Sequence, residues 1–161
     1  MAFSTVKCEY IWSDGQSPTP ELRSKTRVFR ISDEDKEKLT EAINSGNSPH
    51  EMLPIWSFDG SSTCQATGSD SDCVLRPVMI APDPTRTNGL LVLCEVFNTD
   101  LTPHVSNTRA VLRDTFLKLA LSEQPRIGFE QEYVLMERDE RGVPTNNPVG
   151  WPKDDEPYAH G

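Results

Sequence analysis

The sequence predicts an α+β fold with a mixed or mostly antiparallel sheet. Three observations predict it. Runs of branched and aromatic residues recur at strand-like period two. Two segments carry helix signals instead, one a polar cap and one an apolar stripe. The order is strand, strand, helix, strands, helix, strand, which is not the strict alternation that builds a parallel α/β sheet.

Val6 to Trp12 reads as the first strand and ends at Asp14-Gly15. A turn-rich segment with Pro18 and Pro20 leads to a second strand over Thr26 to Ile31. Ser32 then caps a short polar helix whose first turn holds Asp33, Glu34 and Asp35, where acidic groups favour the helix dipole. That helix fades at Asn44-Ser45-Gly46. Ile55 to Gly68 reads as a loop of small polar residues. Cys73 to Ala81 reads as a strand broken by Pro77, and therefore bulged or at an edge. Asp83-Pro84 to Asn88-Gly89 is turn chemistry. Leu90 to Phe97 is the most apolar strand, and Asn98 to Pro103 is a polar connector. A helix is expected from Asn107 to Leu121, with Val111, Leu112, Thr115, Phe116 and Leu119 as its inward stripe. Ile127 to Met136 alternates as a last strand. Beyond Glu137 the chain is polar and rich in proline (Pro144, Pro148, Pro152, Pro157), without packable periodicity.

The chain has 161 residues and a formal net charge of -9, which argues against a nucleic-acid phosphate surface or an anionic membrane as partner. Leu90 to Cys94, the most apolar stretch, is too short to cross a bilayer. Met1 to Lys7 lacks the apolar core of a signal peptide. Cys8, Cys64, Cys73 and Cys94 show no Cys-x-x-Cys spacing, and Cys8 and Cys94 fall in apolar runs as buried thiols. A reducing, cytoplasmic setting is the expectation. His50, His104 and His160 have no ligand spacing, and no phosphate-binding glycine loop is present.

Two patterns carry chemistry. In Gly128-Phe129-Glu130-Gln131-Glu132-Tyr133, Glu130 and Glu132 would project from one face of a strand roughly 6–7 Å apart. At an effective dielectric of about 20 they would repel by roughly 2.5 kcal/mol. Such a pair is kept by leaving the face in water, by protonating one group, or by placing a divalent cation between them. Val134 and Met136 on the same face argue against a wholly wet surface. Two carboxylates are still only part of the six or so oxygen ligands that a hard cation takes. The second pattern is Asp59-Gly60-Ser61-Ser62-Thr63. Asp59 can hold a small cation or accept a proton, or it can simply bond its own backbone in an Asx-turn.

Together, in this order and spacing, these motifs resemble the amino-terminal half of a type II, eukaryote-type glutamine synthetase. The resemblance also rests on Glu9-Tyr10-Ile11-Trp12, on Leu22 to Arg27, on Trp56 to Thr63, on Gly68 to Asp72, on Leu91 to Phe97 and on Gly150-Trp151-Pro152. It implies a β-grasp amino-terminal domain over 1–103, followed over 104–161 by the truncated start (helix plus strand) of the catalytic domain. It implies a ligase that joins ammonium to glutamate through a glutamyl phosphate, with ATP as co-substrate and Mg²⁺ or Mn²⁺ as cofactor. It implies a homo-oligomeric ring with active sites between neighbouring subunits. By the same resemblance Glu130 and Glu132 bind metal, Asp59 binds ammonium and helps deprotonate it, and Ser62 lies in the same substrate pocket. The family usually has Trp where this chain has Arg126, and its Gly-Pro-Tyr-Tyr-Cys-Gly is here Glu156-Pro157-Tyr158-Ala159-His160-Gly161.

Type II enzymes continue for about as many residues again, a length typical of two full domains. The chain stops soon after Glu132, so these residues alone are expected not to make glutamine. The rival reading is a catalytically inactive stand-alone module that docks on, or regulates, a full-length synthetase. In either case the apolar faces of the Asn107–Leu121 helix and of the last strand are expected to lie exposed.

Overall fold

A computed structural model describes residues 3–151. The chain divides into two compact units, Met1–Glu123 and Gln124–Gly161. The helix expected after Pro103 belongs to the first of them.

The first unit is built on a five-stranded mixed sheet. β1 (Phe3–Ser13) pairs antiparallel with β2 (Leu22–Ser32). A helix, α1 (Asp33–Asn44), follows directly. β3 (Trp56–Asp59), β4 (Asp72–Pro82) and β5 (Gly89–Phe97) complete the sheet in the order β2-β1-β5-β4-β3. β5 runs parallel to β1, antiparallel to β4, and β4 antiparallel to β3. This is the expected α+β arrangement.

The core follows from strand periodicity. Val6, Cys8, Tyr10 and Trp12 alternate along β1 and are all buried. They meet Cys73, Leu75 and Ile80 from β4 and Leu90, Val92, Cys94 and Val96 from β5. Leu39 of α1 is buried in the same cluster, with Ile43 packed against it. Each such side chain taken from water contributes about 1.5–3 kcal/mol. The near-continuous apolar run of β5 fits its central position, with Leu90, Val92, Cys94 and Val96 in the core and Leu91 and Leu93 partly buried on the other face. Tyr10 keeps its hydroxyl satisfied by donating to the Pro54 carbonyl at 2.8 Å.

Local signals account for the ends. The Ser32 hydroxyl accepts from the Asp35 amide at 3.1 Å, so the expected cap is made. Gly46 takes a φ of +77°, where the chain turns away after α1. The register of β4 slips between Pro77 and Met79, the expected bulge at a residue that cannot donate to the ladder.

Three expectations need correction. β2 begins at Leu22, four residues before the expected start, because its ladder with β1 extends to Ser13↔Leu22. Trp56–Asp59 is a strand rather than loop, held by β4. The helix α2 (Thr108–Glu123) forms as expected, and its stripe of Val111, Leu112, Phe116 and Leu119 lies exposed, as expected for the start of a catalytic domain taken alone. Among the described residues, only its first turns are covered, through Asn107 and Ala110. The Asn107 amide group donates to the Val96 carbonyl at 2.9 Å, and its Oδ1 accepts from the Ala110 amide at 3.0 Å. The third correction concerns the second unit. Residues 124–135, which include most of the expected Ile127–Met136 strand, form no ladder among the described residues. A strand is stabilised by its neighbours, and alternation alone does not supply one.

The second unit has a two-stranded hairpin instead, β6 (Met136–Arg138) with β7 (Pro144–Pro148). Its turn is set by Asp139, whose Oδ1 accepts from the Arg141 and Val143 amides at 2.9 and 2.8 Å. The proline-rich segment over 144–148 was expected to be irregular, and pairing with 136–138 orders it. Pro152, Pro157 and the Glu156–Gly161 motif lie outside the described residues.

The cysteines give a direct check of the core. Burial pushes the Cys8 thiol up to about 11 and the Cys94 thiol up to about 12, and it raises Cys73 as well. Cys64 is exposed. All four are free. A thiol whose pKa is raised stays protonated, and so unreactive, at mild pH. At pH 8 one thiol, that of Cys64, is expected to react rapidly with a disulfide reagent. Cys64→Ser should abolish the fast phase, and the other three should react only on unfolding. A fast phase from more than one thiol in the native chain would contradict this core.

Candidate functional site

β3 delivers Asp59 to the end of the sheet, where the chain tightens into a 3₁₀ turn over Gly60–Thr63. Asp59 Oδ1 accepts from both the amide and the hydroxyl of Ser61, at 2.9 and 2.6 Å. The Ser62 hydroxyl donates to the Asp59 carbonyl at 3.0 Å. The Asx-turn weighed from sequence is therefore present. It does not exclude a binding role, because Asp59 also borders an open groove of about 410 Å³ with Ser62, Thr63, Trp12, Arg23 and Lys25.

The electrostatics of this groove are mixed. The Ser61 hydroxyl and amide hold the Asp59 carboxyl below the usual carboxylate range, against a smaller opposing effect of desolvation. Arg23 is engaged by the buried Asp14 carboxylate at 2.9 Å. Asp14 is itself held low, first by the Glu21 amide and then by the Gln16 amide and Arg23. Lys25 donates to the Ser57 carbonyl at 2.6 Å and lies 3.5 Å from the centre of the Trp56 ring. Desolvation, then the nearby Arg27, lowers its pKa. An ionised carboxylate beside hydroxyl acceptors can hold a small cation and take a proton from it.

The turn is fixed from behind by residues that sequence reasoning missed. Gln65 is buried and accepts from Trp12 Nε1 at 3.3 Å and from the Thr63 hydroxyl at 2.8 Å. Its amide group donates to the Ser13 carbonyl and to Ser106 Oγ, at 3.2 and 2.8 Å. His104 Nδ1 accepts from the Ser106 amide at 3.1 Å, so Nε2 carries the proton and donates to the Gln65 carbonyl at 2.6 Å. Gln65 thereby ties the Asp59 turn to β1 and to the segment before α2. These partners are 41 and 52 residues apart in the chain, and no local pattern announces them.

Gly15 completes the support. Its amide donates to the Thr63 carbonyl at 2.9 Å, and a Cβ at this position would lie 2.2 Å from the Cys64 carbonyl oxygen. Backbone cannot swing aside as a side-chain tip can. Gly15→Ala is expected to cost about 1–3 kcal/mol in urea unfolding, with the displacement centred on the Asp59 turn. An unchanged midpoint would show that the turn is not held this way.

Glu130 and Glu132 lie in the second unit, both exposed, in the segment without regular structure. Among the described residues no three His, Cys, Asp or Glu side chains group as a metal site. The donor chemistry of the pair suits a hard divalent cation, but it supplies only part of a ligand set.

Residues 5–99 match the family model of the glutamine synthetase β-grasp domain. The chain belongs to the glutamine synthetase family. It is 45% identical over 158 residues to the glutamine synthetase of Streptomyces viridochromogenes, covering 98% of this chain and 40% of that one. It is 44% identical over 158 residues to that of Bradyrhizobium diazoefficiens, covering 96% of this chain and 39% of the relative. It is 40% identical over 164 residues to the chloroplastic enzyme of Chlamydomonas reinhardtii, covering 97% of this chain and 38% of that one. The chain thus spans about two fifths of the length of the curated glutamine synthetases it matches. The sheet of the first unit is their β-grasp domain, and Asp59 stands at the end of one of its strands.

Proposed function

We propose that the chain serves as the amino-terminal part of a glutamate–ammonia ligase. The observation that supports this reading is the match of nearly the whole chain to the amino-terminal two fifths of glutamine synthetases. In the proposed reaction the side-chain carboxylate of glutamate attacks the terminal phosphorus of ATP, and ADP leaves. Ammonia then attacks the acyl phosphate, and inorganic phosphate leaves. Asp59 holds ammonium in the groove and draws off its proton before the attack, with Ser62 beside it. Glu130 and Glu132 supply two of the ligands for Mg²⁺ or Mn²⁺, which offsets the charge of a carboxylate attacking a polyphosphate. The remaining ligands come from outside residues 1–161, as do the other walls of a site shared between subunits of a cytoplasmic ring.

Residues 1–161 alone are therefore expected to be inactive. Co-expression with the carboxy-terminal three fifths of the Streptomyces viridochromogenes relative tests the proposal. Glutamine formation from glutamate, ATP and ¹⁵N-ammonium, dependent on divalent cation and absent with either piece alone, is the expected result. A well-folded assembly of the two pieces that makes no glutamine would overturn it. The inactive-module reading would then be favoured if the chain also co-purified with an intact synthetase.

A further inference from the structure

We propose that the first unit carries a separate binding site for a small oxyanion, in a pocket of about 700 Å³ beside the bulge of β4. The site does not depend on the ligase reading. Its donors are Arg76 from β4 and Arg109 and Arg113 from the start of α2, with His50 and Glu51 at the rim and Glu95 of β5 in the floor. Arg109 and Arg113 are four residues apart on α2 and so share one helix face. Arg76 sits cross-strand from Glu95.

The three guanidinium groups are unequally used. Glu95, fully buried, forms a close ion pair with Arg113. Arg109 Nε is 3.5 Å from Glu95 Oε1, too long for a good hydrogen bond, and that oxygen has no hydrogen-bond donor among the described residues. Arg76 lays its flat face 3.9 Å from the centre of the Phe97 ring, and its guanidinium makes no hydrogen bond among the described residues. Stacking fixes the plane of a guanidinium while leaving its edge donors available. Arg113 is held by Glu95 and lies 3.6 Å from Asp114, so Arg76 and Arg109 are the less committed cations of the cluster, on a chain whose net charge is -9. A concave cluster of fork-shaped donors matches the planar or tetrahedral oxygens of a carboxylate or phosphate group. An anion bridging Arg76 and Arg109 would give both guanidinium groups acceptors that the protein does not supply.

The test follows the arginine Nε–Hε signals of the 161-residue chain by ¹H–¹⁵N NMR. Inorganic phosphate and malonate are titrated separately, each against sodium chloride at matched ionic strength. Saturable shifts at Arg76 and Arg109 are expected, and the tighter of the two probes assigns the group as phosphate or carboxylate. Arg76→Gln should weaken binding about tenfold, the loss of one charge-assisted fork. Lys38→Gln, in the exposed Glu34–Lys38 pair of α1 and outside this pocket, should leave it unchanged. If Arg76→Gln does not melt cooperatively, Arg109→Gln makes the same test. Shifts that never saturate, that chloride reproduces, or that survive both variants would overturn the site.

Discussion

Truncating Arg113 to alanine is expected to destabilise the first unit by about 3 kcal/mol, far more than loss of any exposed ion pair. The reason lies in its partner. The Glu95 side chain has no solvent exposure, while that of Arg113 is 38% exposed. Removing the arginine leaves a carboxylate stranded on the central strand of the sheet, which typically costs about 3–5 kcal/mol. Arg109, at 3.5 Å, remains as a weaker counter-charge and places the expectation at the low end of that range. The Glu34–Lys38 pair on α1 is a contrasting case, with both side chains largely exposed. Lys38→Ala should cost less than about 0.5 kcal/mol. Replacing Glu95 and Arg113 together by methionine should recover most of the loss, because an apolar pair of similar volume carries no desolvation penalty. Urea unfolding followed by circular dichroism and by tryptophan fluorescence reads all three. A single-variant cost below about 1 kcal/mol, or a double variant no better than the single, would show that Glu95 finds water or another donor.

What could be read from the sequence depended on whether the stabilising partners are local. β1, α1, β4 and β5 were legible because alternation, a serine cap and a proline bulge act within a few residues of themselves. β3 was not, since Trp56–Asp59 takes its ladder from Asp72–Leu75 and is followed by hydroxyl residues that look like turn. The α2 stripe was read from i, i+4 and i+8 spacing, but periodicity reports a face and not what covers it. Ile127–Met136 shows the same limit for strands: its alternation is genuine, and no partner ladder forms among the described residues. The hairpin of the second unit was missed for the opposite reason, because prolines and asparagines mask a pairing that the Asp139–Gly142 turn sets up. At the candidate site, Asp59 was singled out from residue type and motif and Ser62 through the resemblance, and both border the groove. Gln65, Lys25 and Arg23 were not, because contacts between distant strands bring them to the groove.

In the two-piece ligase, Asp59→Asn is expected to lower kcat/KM for ammonium by about 10²–10³-fold, mostly through KM. A unit charge pair at about 4 Å in an effective dielectric of 20 is worth about 4 kcal/mol, or about 10³ in affinity before desolvation is subtracted. Proton removal by a positioned base can add to this. The lowered proton affinity of Asp59 decides which contribution leads. Hydrogen bonds from Ser61 stabilise the charged form, so the carboxylate is a reliable anchor for a cation and a weak acceptor of its proton. The group is ionised throughout the neutral range and loses its charge only as pH falls through its lowered value. The acid limb of the activity profile should therefore belong to other groups. Ser61→Ala removes the largest of the lowering causes, so it should raise the Asp59 pKa toward the ordinary carboxylate value and move the onset of its protonation upward in pH. The fold should tolerate Asp59→Asn, because a carboxamide oxygen accepts the same two bonds from Ser61. Its melting midpoint in the 161-residue chain should stay close to wild type. Asp59→Ala removes the turn cap and should cost about 1 kcal/mol. An Asp59→Asn enzyme with unchanged KM for ammonium would leave this carboxylate a turn residue and nothing more.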